Sequence, residues 1–518
     1  MPTYLDQPLD GTEISGTTLH VQGWASEGTG DETSLVRDVT ILLDGVSLGR
    51  AGLAWPRPDV AEVYGDPRLG LSGFDRVVTL PPSLRTPGPH TVAVEVRWLD
   101  GHVRRTTPAR VAFPPLPALP PDVVAPPRPH HGGGPVHSVW LARSLDRGGS
   151  QLRMAETVEH LARRGWTTTV LSPSEGPLRA RLEAGGAQVR LVEPVPFDDV
   201  TRYRAAVSRL VDELDGADLA VAPTVTSFPL VHAAALAGVP AVQRIGEEAP
   251  LPTVVAWLAG GLDGEVEAYA RRAIRGAAAI WTNAHAVEAS YRAQGYDGAW
   301  SVIHTGRPSV GDLPSRAEAR RLVGLPLDRR VLVCAGTIWP VKGQGLLAEA
   351  ARVVRPDHPE LLVAMVGFDG NPYAAQLRAH LAAHDLTDTV VVAPFHDDLG
   401  AWWAAADAVA LTPHSPSEAL SSALVEGMAH GLPALAARAG DAAVMVEDER
   451  SGWLCDADDL GSLVDALRRF ADADEATLRA YGKQAAARCA QEDDREAALA
   501  RAAALLEACA SSVESAAS

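Results

Sequence analysis

The sequence predicts an all-β domain at the N-terminus, followed by two successive α/β units that each contain a parallel sheet. Short alternating apolar runs with Gly and Pro turns occupy residues 1–113. A Pro- and Gly-rich stretch, residues 114–135, separates this region from the rest. From residue 136 onward, buried-strand runs alternate with helical segments of about 10 to 15 residues, which is the pattern of βαβ units.

The N-terminal region is predicted to be a β-sandwich because its strands are joined by hairpin signals. Asp44-Gly45 and Asp100-Gly101 each lie between two apolar runs, and Asp-Gly in that context favours a tight hairpin turn. Two interpretations of Trp24 and Trp55 stay open. They belong either to the core, which is favoured, or to a carbohydrate-binding face.

The remaining chain is divided by its strand and helix pattern. The linker is residues 114–135, extended where it is rich in Pro and flexible at its Gly triplet. Residues 136–306 and 307–490 form the two α/β units, and residues 491–518 a C-terminal helix with a frayed tail from Cys509. Because ligands bind beyond the carboxyl ends of parallel strands, functional residues are expected in the loops there.

Composition excludes several classes of function. The 518-residue chain has a formal net charge of -19 and no long basic run, which argues against nucleic-acid binding. Its four cysteines are widely spaced, so neither a disulfide framework nor a zinc site is expected. The N-terminus lacks a signal-peptide pattern, and no apolar stretch is long enough to span a membrane. We therefore expect a cytoplasmic protein, and peripheral contact with the inner face of a membrane stays open.

The first candidate motif is Asp146-Arg147-Gly148-Gly149-Ser150, between a strand and a helix. Its glycines allow the backbone to approach a ligand, and the following helix offers free N–H groups to an anion. A simple turn with Ser150 as the helix cap explains it equally well. The motif is neither GxGxxG nor a Walker loop, which disfavours nicotinamide and ATP sites.

The second candidate motif is Gly336-Thr337-Ile338-Trp339-Pro340-Val341-Lys342-Gly343. It lies between a predicted strand and a predicted helix. A lysine there can reach a diphosphate as a point charge. An isolated surface lysine is the alternative, and the strand–loop–helix context favours the functional interpretation.

The third candidate motif runs from Ser417 to Pro433 and contains two carboxylates, Glu418 and Glu426. With a helix beginning near Ser421, Glu418 lies in the loop before it and Glu426 in its second turn. Carboxylates accept hydrogen bonds from sugar hydroxyls, and helix N-termini bind phosphate. Two surface glutamates on an ordinary helix would show the same spacing.

Together these three motifs resemble family 4 of the retaining GT-B glycosyltransferases, over about residues 136–505. The stretch 417–433 resembles the family signature, in which an acidic residue is followed eight positions later by Glu and then by Gly-Met-Ala-x-Gly-x-Pro. Residues 366–418 also resemble the family's stretch before that signature. The resemblance implies a GT-B fold of two Rossmann-like domains facing across a cleft. The N-terminal sandwich resembles immunoglobulin-like modules attached to bacterial glycosyltransferases.

The resemblance implies a role for each matching residue. Glu418 would bind donor-sugar hydroxyls, Glu426 the ribose, and Lys342 the departing diphosphate. Backbone N–H groups of Ala419, Leu420 and Ser421 would bind sugar or diphosphate. Five further residues would line the donor site or shape its turns: Gly149, Gly336, Gly367, Pro394 and Phe395.

The sequence departs from the family pattern on the cationic side. Thr337 and Val341 stand where members often carry Arg. Phosphate neutralisation then depends on Lys342 alone, or on Arg307, with Arg147 as a further candidate for the phosphate or the acceptor. Asp456-Ala-Asp458 has the DxD spacing of another glycosyltransferase fold, but it lies downstream of the signature and is interpreted as a solvated loop.

A second departure concerns the acceptor side. Residues 242–248 contain no His where many members place one near the transferred sugar. Arg244, Glu247 or Glu248 is a candidate replacement, with Glu247 as a catalytic candidate. A polar loop end without function is an equally good interpretation.

The implied activity is metal-independent, retaining transfer of a hexose from a UDP- or GDP-sugar to a hydroxyl group. The expected acceptor is a glycan, a glycolipid or a protein-linked glycan, in cell-surface glycan biosynthesis, and no cofactor is expected because the nucleotide sugar is a substrate. Two alternatives stay open: a GT-B sugar phosphorylase or epimerase, and a GT-B partner protein without turnover. Residues 1–113 are the candidate for contact with a membrane or a partner protein.

Overall fold

The computed structural model describes residues 3–26, 35–81, 83–116, 125, 134–396, 398–492 and 494–511. They form two compact units, each of which combines segments distant in sequence. One unit contains residues up to 14, 18–114 and 307–492, and the other contains residues 15–17, 115–306 and those from 493 on. Much of the predicted linker lies outside the described residues.

The N-terminal region forms two β-sheets, one with the strand order β1-β3-β7-β6 and the other with the order β2-β10-β8-β4-β5 and β9 paired to β8. All of these strand pairs are antiparallel except β2 with β10. The elements are β1 (Thr3–Gln7), β2 (Thr12–Glu13), β3 (Thr18–Ala25), β4 (Val36–Leu43), β5 (Val46–Arg50), β6 (Gly52–Trp55), α1 (Pro58–Tyr64), β7 (Gly73–Thr79), β8 (Gly88–Trp98), β9 (Val103–Arg105) and β10 (Ala109–Phe113).

Both predicted hairpins form. Asp44 and Gly45 adopt φ angles of 49° and 82° and join β4 to β5, as a two-residue turn requires. Asp100-Gly101 turns between β8 and β9.

The all-β prediction is wrong at α1. Pro58 occupies an N-terminal position of this helix, where its missing N–H costs nothing, and Asp59 lies in the first turn. Gly65 ends the helix in the left-handed conformation, with a φ of 63°, which is a common helix terminator.

Residues 137–302 form a seven-stranded parallel sheet with the order β13-β12-β11-β14-β15-β16-β17. Its elements are β11 (His137–Leu141), α2 (Gly149–Arg163), β12 (Thr167–Ser172), α3 (Arg179–Ala184), β13 (Gln188–Leu191), α4 (Val200–Asp212), β14 (Leu219–Ala222), α5 (Phe228–Ala237), β15 (Ala241–Ile245), α6 (Leu251–Ala259), α7 (Gly264–Arg275), β16 (Ala279–Thr282), α8 (His285–Ala293) and β17 (Trp300–Val302). The order of the strands reverses between β11 and β14.

The C-terminal α/β region forms a six-stranded parallel sheet with the order β20-β19-β18-β21-β22-β23, so the predicted pair of parallel α/β units is confirmed. Its elements are α9 (Arg316–Val323), β18 (Arg330–Ala335), α10 (Gln344–Val354), β19 (Leu361–Val366), α11 (Pro372–Ala383), β20 (Val390–Ala393), α12 (Gly400–Ala405), β21 (Ala408–Leu411), α13 (Ser422–Ala429), β22 (Ala434–Ala437), α14 (Ala442–Met445), β23 (Gly452–Cys455), α15 (Leu460–Asp472) and α16 (Glu475–Cys489). Here the strand order reverses between β18 and β21.

The last helix, α17 (Arg495–Ser511), belongs to the unit built on the seven-stranded sheet. Its apolar residues Ala502, Ala503 and Leu506 join the core that contains Trp140 of β11. Cys509 is buried as well, so the frayed tail predicted from that residue is wrong up to Ser511. No helix within the described part of the chain has both the length and the apolar character needed to cross a membrane.

One continuous hydrophobic core joins the N-terminal sheets to the C-terminal α/β region. It contains Leu53 and Ala54 of β6 together with Leu346 and Leu347 of α10. A Cβ placed on Gly345, at the start of α10, would lie only 2.9 Å from Cβ of Ala54. A glycine is therefore needed where β6 packs against the helix.

Candidate functional site

The candidate site begins in the loop that follows β18. Gly336 ends the strand with a φ of 150°. A short 3-10 turn, Pro340–Lys342, leads into α10. The side chain of Lys342 is 34% exposed, so its ammonium group is accessible. Burial raises the pKa of Cys334, on β18 beneath the loop, to about 12, which keeps that thiol neutral.

The second loop of the site follows β21, the neighbour of β18 in the sheet. It carries Glu418, whose side chain is 15% exposed. Nζ of Lys342 donates a hydrogen bond to Oε2 of Glu418 over 2.5 Å. The two residues predicted from separate motifs therefore meet where the strand order reverses, which is where open α/β sheets bind ligands.

The two loops are held together by the backbone. The backbone N of His414 donates to the carbonyl oxygen of Val341 over 3.0 Å, and Oγ of Ser417 lies 3.1 Å from the same oxygen. Gly343 has a φ of 70°, and a Cβ there would lie 1.8 Å from the carbonyl oxygen of Thr412. Gly343 is therefore required both by its conformation and by the close approach of the Thr412 loop.

Gly367 has a similar role between β19 and β18. A Cβ on Gly367 would lie 1.8 Å from the carbonyl oxygen of Gly336, so the turn after β19 can approach the Lys342 loop only with glycine at this position. The structure thus gives a steric reason for the predicted tight turn.

Helix α13 continues the site from Glu418. Its N-cap is Ser421, close to the predicted start, and Glu426 lies in its second turn, partly buried. Ala419 and Leu420 are buried, and the carbonyl oxygen of Ala419 accepts a hydrogen bond from N of Asp441 over 2.8 Å. The backbone before the helix is therefore fixed, with the N-terminus of α13 beyond Glu418.

The remaining candidates of this unit lie on neighbouring loops. Pro394 and Phe395 follow β20 and are exposed, with Phe395 at 40%. Nε of Arg307 is buried and has no hydrogen-bond partner within the described part of the protein. A buried donor of this kind is costly unless something binds it.

In the other unit, the loop after β11 carries Gly149 and Arg147. Gly149 is the first residue of α2, and Gly148 rather than Ser150 caps the helix. A Cβ on Gly149 would meet no atom within 4 Å, so open space adjoins its backbone. Arg147 is exposed.

Arg244, on β15, is only 6% exposed. Its Nη1 donates to the carbonyl oxygen of Pro223 over 3.2 Å, and the guanidinium lies 5.4 Å from the ring centroid of Trp281. Burial lowers the pKa of Arg244, although the charge of Glu247 opposes that shift. Glu247 lies in the loop after β15, where its Oε2 accepts a hydrogen bond from N of Gly246 over 3.2 Å.

The structure places two further residues beside the Lys342 and Glu418 loops that the sequence interpretation missed. Nδ1 of His414 and Oδ1 of Asp458 lie 2.6 Å apart, and both residues are buried. The prediction of a solvated Asp456-Ala-Asp458 loop is therefore wrong for Asp458, whereas Asp456 is indeed exposed. The signal available in the sequence was the Asp458-Asp459 pair, of which only Asp459 is needed to cap α15.

A second overlooked signal is the near absence of lysine. Lys342 and Lys483 are the only lysines in the chain. All other permanently cationic side chains are arginines. Lysine at position 342 is therefore unusual for this sequence, which supports a specific use of its compact ammonium group.

Among the residues that the structure describes, the group suited to hold a metal ion is Glu349, His380 and His384. It lies on α10 and α11 rather than on the candidate loops. Glu349 already accepts a hydrogen bond from Nε of Arg352 over 3.0 Å and contacts His380. Burial lowers the pKa of His384 to about 4. Glu349 is thus already paired within the protein, whereas Nδ1 of His380 is buried without a hydrogen-bond partner among the described residues.

Comparison with protein families gives two matches that together cover more than half of the chain. Residues 148–306 match the family described as Glycosyl transferase 4-like domain. Residues 315–488 match the family described as Glycosyl transferases group 1. The second match contains Lys342, Glu418 and Glu426.

Curated relatives and solved structures agree with these matches. A D-inositol 3-phosphate glycosyltransferase of Nocardioides sp. is 28% identical over 366 residues, 64% of this chain and 79% of the relative. The same enzyme of Saccharomonospora viridis is 37% identical over 202 residues, but this covers only 36% of this chain and 46% of the relative. The chain is also similar to the structure of Anabaena Alr3699/HepE in complex with UDP-glucose, with a TM-score of 0.60 and 20% sequence identity. The match includes 72% of this chain and 99% of the HepE chain. At that identity the likeness shows the fold alone.

Proposed function

We propose that this chain, a GT-B glycosyltransferase by its two matched domains, transfers a hexose with retention from a UDP- or GDP-sugar to a hydroxyl acceptor. The observation that carries the proposal is the pairing of Lys342 with Glu418 over 2.5 Å, on the loops after β18 and β21. These strands flank the reversal of strand order, and the paired loops lie where a ligand of such a sheet binds.

The pairing suits a nucleotide-sugar donor because its two ends need opposite chemistry. Glycosyl transfer places negative charge on the departing diphosphate, and the ammonium group of Lys342 can stabilise that charge. The carboxylate of Glu418 can accept hydrogen bonds from hydroxyls of the sugar. In the absence of a donor the two groups satisfy each other, so neither charge is left alone in the partly buried site.

The surrounding residues complete the proposed donor site. The backbone from Ala419 to Ser421 leads into the N-terminus of α13, which favours an anion. Glu426 binds the ribose hydroxyls in this proposal. The exposed ring of Phe395, beside Pro394, offers a face for the nucleobase.

Arg307 and Gly149, one in each compact unit, are further candidates for binding an anion. Arg307 supplies a buried Nε that lacks a protein partner among the described residues. Gly149 allows a phosphate to approach the N-terminus of α2, because space is open beside it. Arg147, Arg244 and Glu247 remain candidates for the acceptor side.

The finer features of the activity are part of the same proposal. Lys342, Arg307 and the helix N-terminus provide positive potential without a metal, so the reaction is proposed to be metal-independent and to use no cofactor. The acceptor is a hydroxyl of a glycan, a glycolipid or a protein-linked glycan, in cell-surface glycan synthesis. We place the protein in the cytoplasm and assign the N-terminal sheets to an immunoglobulin-like fold.

The experiment that tests the proposal is a thermal-shift panel with UDP, GDP, ADP, dTDP and CMP. One nucleoside diphosphate at about 100 times its Kd should stabilise the protein by about 2.7 kcal/mol. Glu426→Ala should abolish that shift, whereas Glu62→Ala, which removes an exposed glutamate from α1, should leave it unchanged. Transfer from the matching nucleotide sugar is then measured by product mass.

The outcomes separate the proposed function from its rivals. No shift with any nucleotide would contradict a donor site and favour a partner protein without turnover. A requirement for inorganic phosphate, or a product formed without acceptor, would point to a phosphorylase or an epimerase. A shift that persists in Glu426→Ala would contradict the role of that residue alone.

A further inference from the structure

The N-terminal sandwich lies directly against the loops that carry the candidate site. The rings of Trp55, at the end of β6, and His414 are stacked with centroids 6.2 Å apart. A Cβ on Gly52 would lie 2.8 Å from both Cγ of His414 and Nε1 of Trp55. Gly52 therefore provides the space in which these two rings meet. Trp55 is partly buried, and its ring stacks on His414 and does not belong to the buried core of the sheets.

His414 links this contact to both catalytic loops. Its backbone N donates to the carbonyl oxygen of Val341 over 3.0 Å, immediately before Lys342. Its carbonyl oxygen accepts hydrogen bonds from N of Ser417 over 3.1 Å and from Oγ of the same residue. Any movement of His414 would therefore displace the backbone on either side of the Lys342–Glu418 pair.

Asp458 fixes the other side of His414. Its Oδ1 lies 2.6 Å from Nδ1 of His414, and its Oδ2 accepts a hydrogen bond from N of Ser415 over 3.1 Å. Asp458 is only 2% exposed and has a φ of 58°, a conformation that residues other than glycine adopt rarely. Such a conformation persists only where surrounding contacts determine it, and it is often found at functional sites.

The sandwich also holds the segment that carries Asp458. Nε of Arg37 and Nη2 of Arg50 lie 3.1 and 3.0 Å from the carboxylate oxygens of Asp459. Asp459 is 1% exposed and caps α15 by accepting a hydrogen bond from N of Ser462. The sandwich therefore contacts the His414 loop directly through Trp55. It also contacts this loop indirectly, through the ion pairs with Asp459, the residue next to Asp458.

We propose that the N-terminal sandwich is a structural part of the donor site, and that Trp55, His414 and Asp458 are positioning residues for Lys342 and Glu418. This inference rests on the proposed function and assigns to the sandwich a task within its own chain. The three residues touch no substrate. They hold the backbone of two loops so that the ammonium and carboxylate groups face the same ligand.

The test is Asp458→Gly in the full chain, because glycine adopts this φ without strain and only the carboxylate is lost. We expect kcat/KM for the nucleotide sugar to fall about 10- to 100-fold, as small displacements of catalytic groups do. The Tm should fall as well, because N of Ser415 loses its buried acceptor and His414 its partner. Asp458→Asn, which tolerates the conformation and keeps an acceptor, should recover part of the loss. Asp385→Gly is the matched control, since Asp385 is an exposed aspartate with a φ of 53°.

A second readout does not depend on turnover. Acylation of Lys342 by an amine-reactive reagent is compared by mass spectrometry with that of Lys483, the other lysine of the chain. Asp458→Gly should raise the ratio of Lys342 to Lys483 acylation, because the pair with Glu418 loosens. Trp55→Phe should change this ratio less than Trp55→Ala does. This pair of variants tests the same positioning role if Asp458→Gly does not fold.

The outcomes distinguish this inference from the proposed function. If the unsubstituted chain neither binds a nucleotide nor transfers a sugar, the proposed function and the positioning role are both wrong. If it does, and Asp458→Gly keeps its kcat/KM and its acylation ratio, the positioning role is wrong while the proposed function stands. An equal loss in Asp385→Gly would also overturn the role, because the effect would then belong to any such substitution.

Discussion

The two parallel sheets share one topology but use their switch points differently. In the seven-stranded sheet, the buried polar side chains near the reversal donate hydrogen bonds to backbone carbonyl oxygens. Nε2 of Gln243 donates to the carbonyl oxygen of Thr224 over 2.7 Å, and Nη1 of Arg244 donates to that of Pro223. In the six-stranded sheet, the side chains of Lys342 and Glu418 pair with each other and remain partly exposed. The buried polar side chains near the first reversal are hydrogen-bonded within the protein, whereas the charged pair at the second is partly exposed to solvent.

This difference shows that topology locates a candidate site without deciding its chemistry. Both reversals have a glycine loop and a helix N-terminus beyond the first strand, with Gly148 at the N-cap of α2 and Gly343 at the N-cap of α10. What separates them is whether the ionisable groups are already satisfied by backbone carbonyls. Under the proposed function, substitution of Lys342 or Glu418 should change turnover, whereas substitution of Arg244, which is hydrogen-bonded within the protein, should change stability.

The largest expected effect is that of Lys342→Met. Loss of the ammonium group should lower kcat about 100- to 1,000-fold, as removal of one preorganised donor to a developing anion does, and leave the fold intact because the side chain is partly exposed. Steady-state assays with the matching nucleotide sugar measure this. Lys483→Met, at an exposed position, is the control. Equal activity of the two variants would contradict a role of Lys342 in turnover.

A smaller effect, of another kind, is expected for Arg244→Met. The carbonyl oxygen of Pro223 loses its donor, so the free energy of unfolding should fall by about 1–3 kcal/mol. Affinity for the nucleotide should stay unchanged. Chemical denaturation and nucleotide titration measure the two quantities. A variant of normal stability with impaired transfer would instead place Arg244 on the acceptor side.

An effect of similar size concerns the acid sensitivity of the same unit, at His232 of α5. Burial, with repulsion from Arg204 and Arg272, lowers the pKa of His232 from 6.5 to about 4. A lowered histidine pKa gives stability that is complete above pH 6.5 and is lost as the pH falls towards 4. Relative to His232→Gln, the native chain should lose about 1–3 kcal/mol between pH 7 and pH 4. Parallel pH profiles of the two proteins would refute a buried neutral histidine.

The local features could be predicted from the sequence because short-range physics determines them. Asp44-Gly45 is a hairpin turn wherever apolar runs flank it, and Lys342 and Glu418 are recognisable from neighbours within a few positions. The helix α1 was missed because its signals, Pro58 and Gly65, also mark turns between strands.

The contacts that position the site could not be predicted. Asp458 binds a histidine 44 positions away in the chain, and Trp55 reaches the same residue from another sheet. No local pattern distinguishes a buried, left-handed Asp458 from a solvated one. Its role depends on tertiary packing that brings β6, the His414 loop and the start of α15 together.

The discontinuous composition of the two units has a consequence for synthesis on the ribosome. The N-terminal sheets emerge well before the α/β region that completes their unit, which begins only at residue 307. The core of the seven-stranded sheet is also incomplete until α17, which contributes Leu506 to it, has been translated. Domains generally fold as they emerge, yet here each must leave apolar surface uncovered until late segments arrive. Premature termination within α17 should therefore leave even the early part of the chain a target for chaperones.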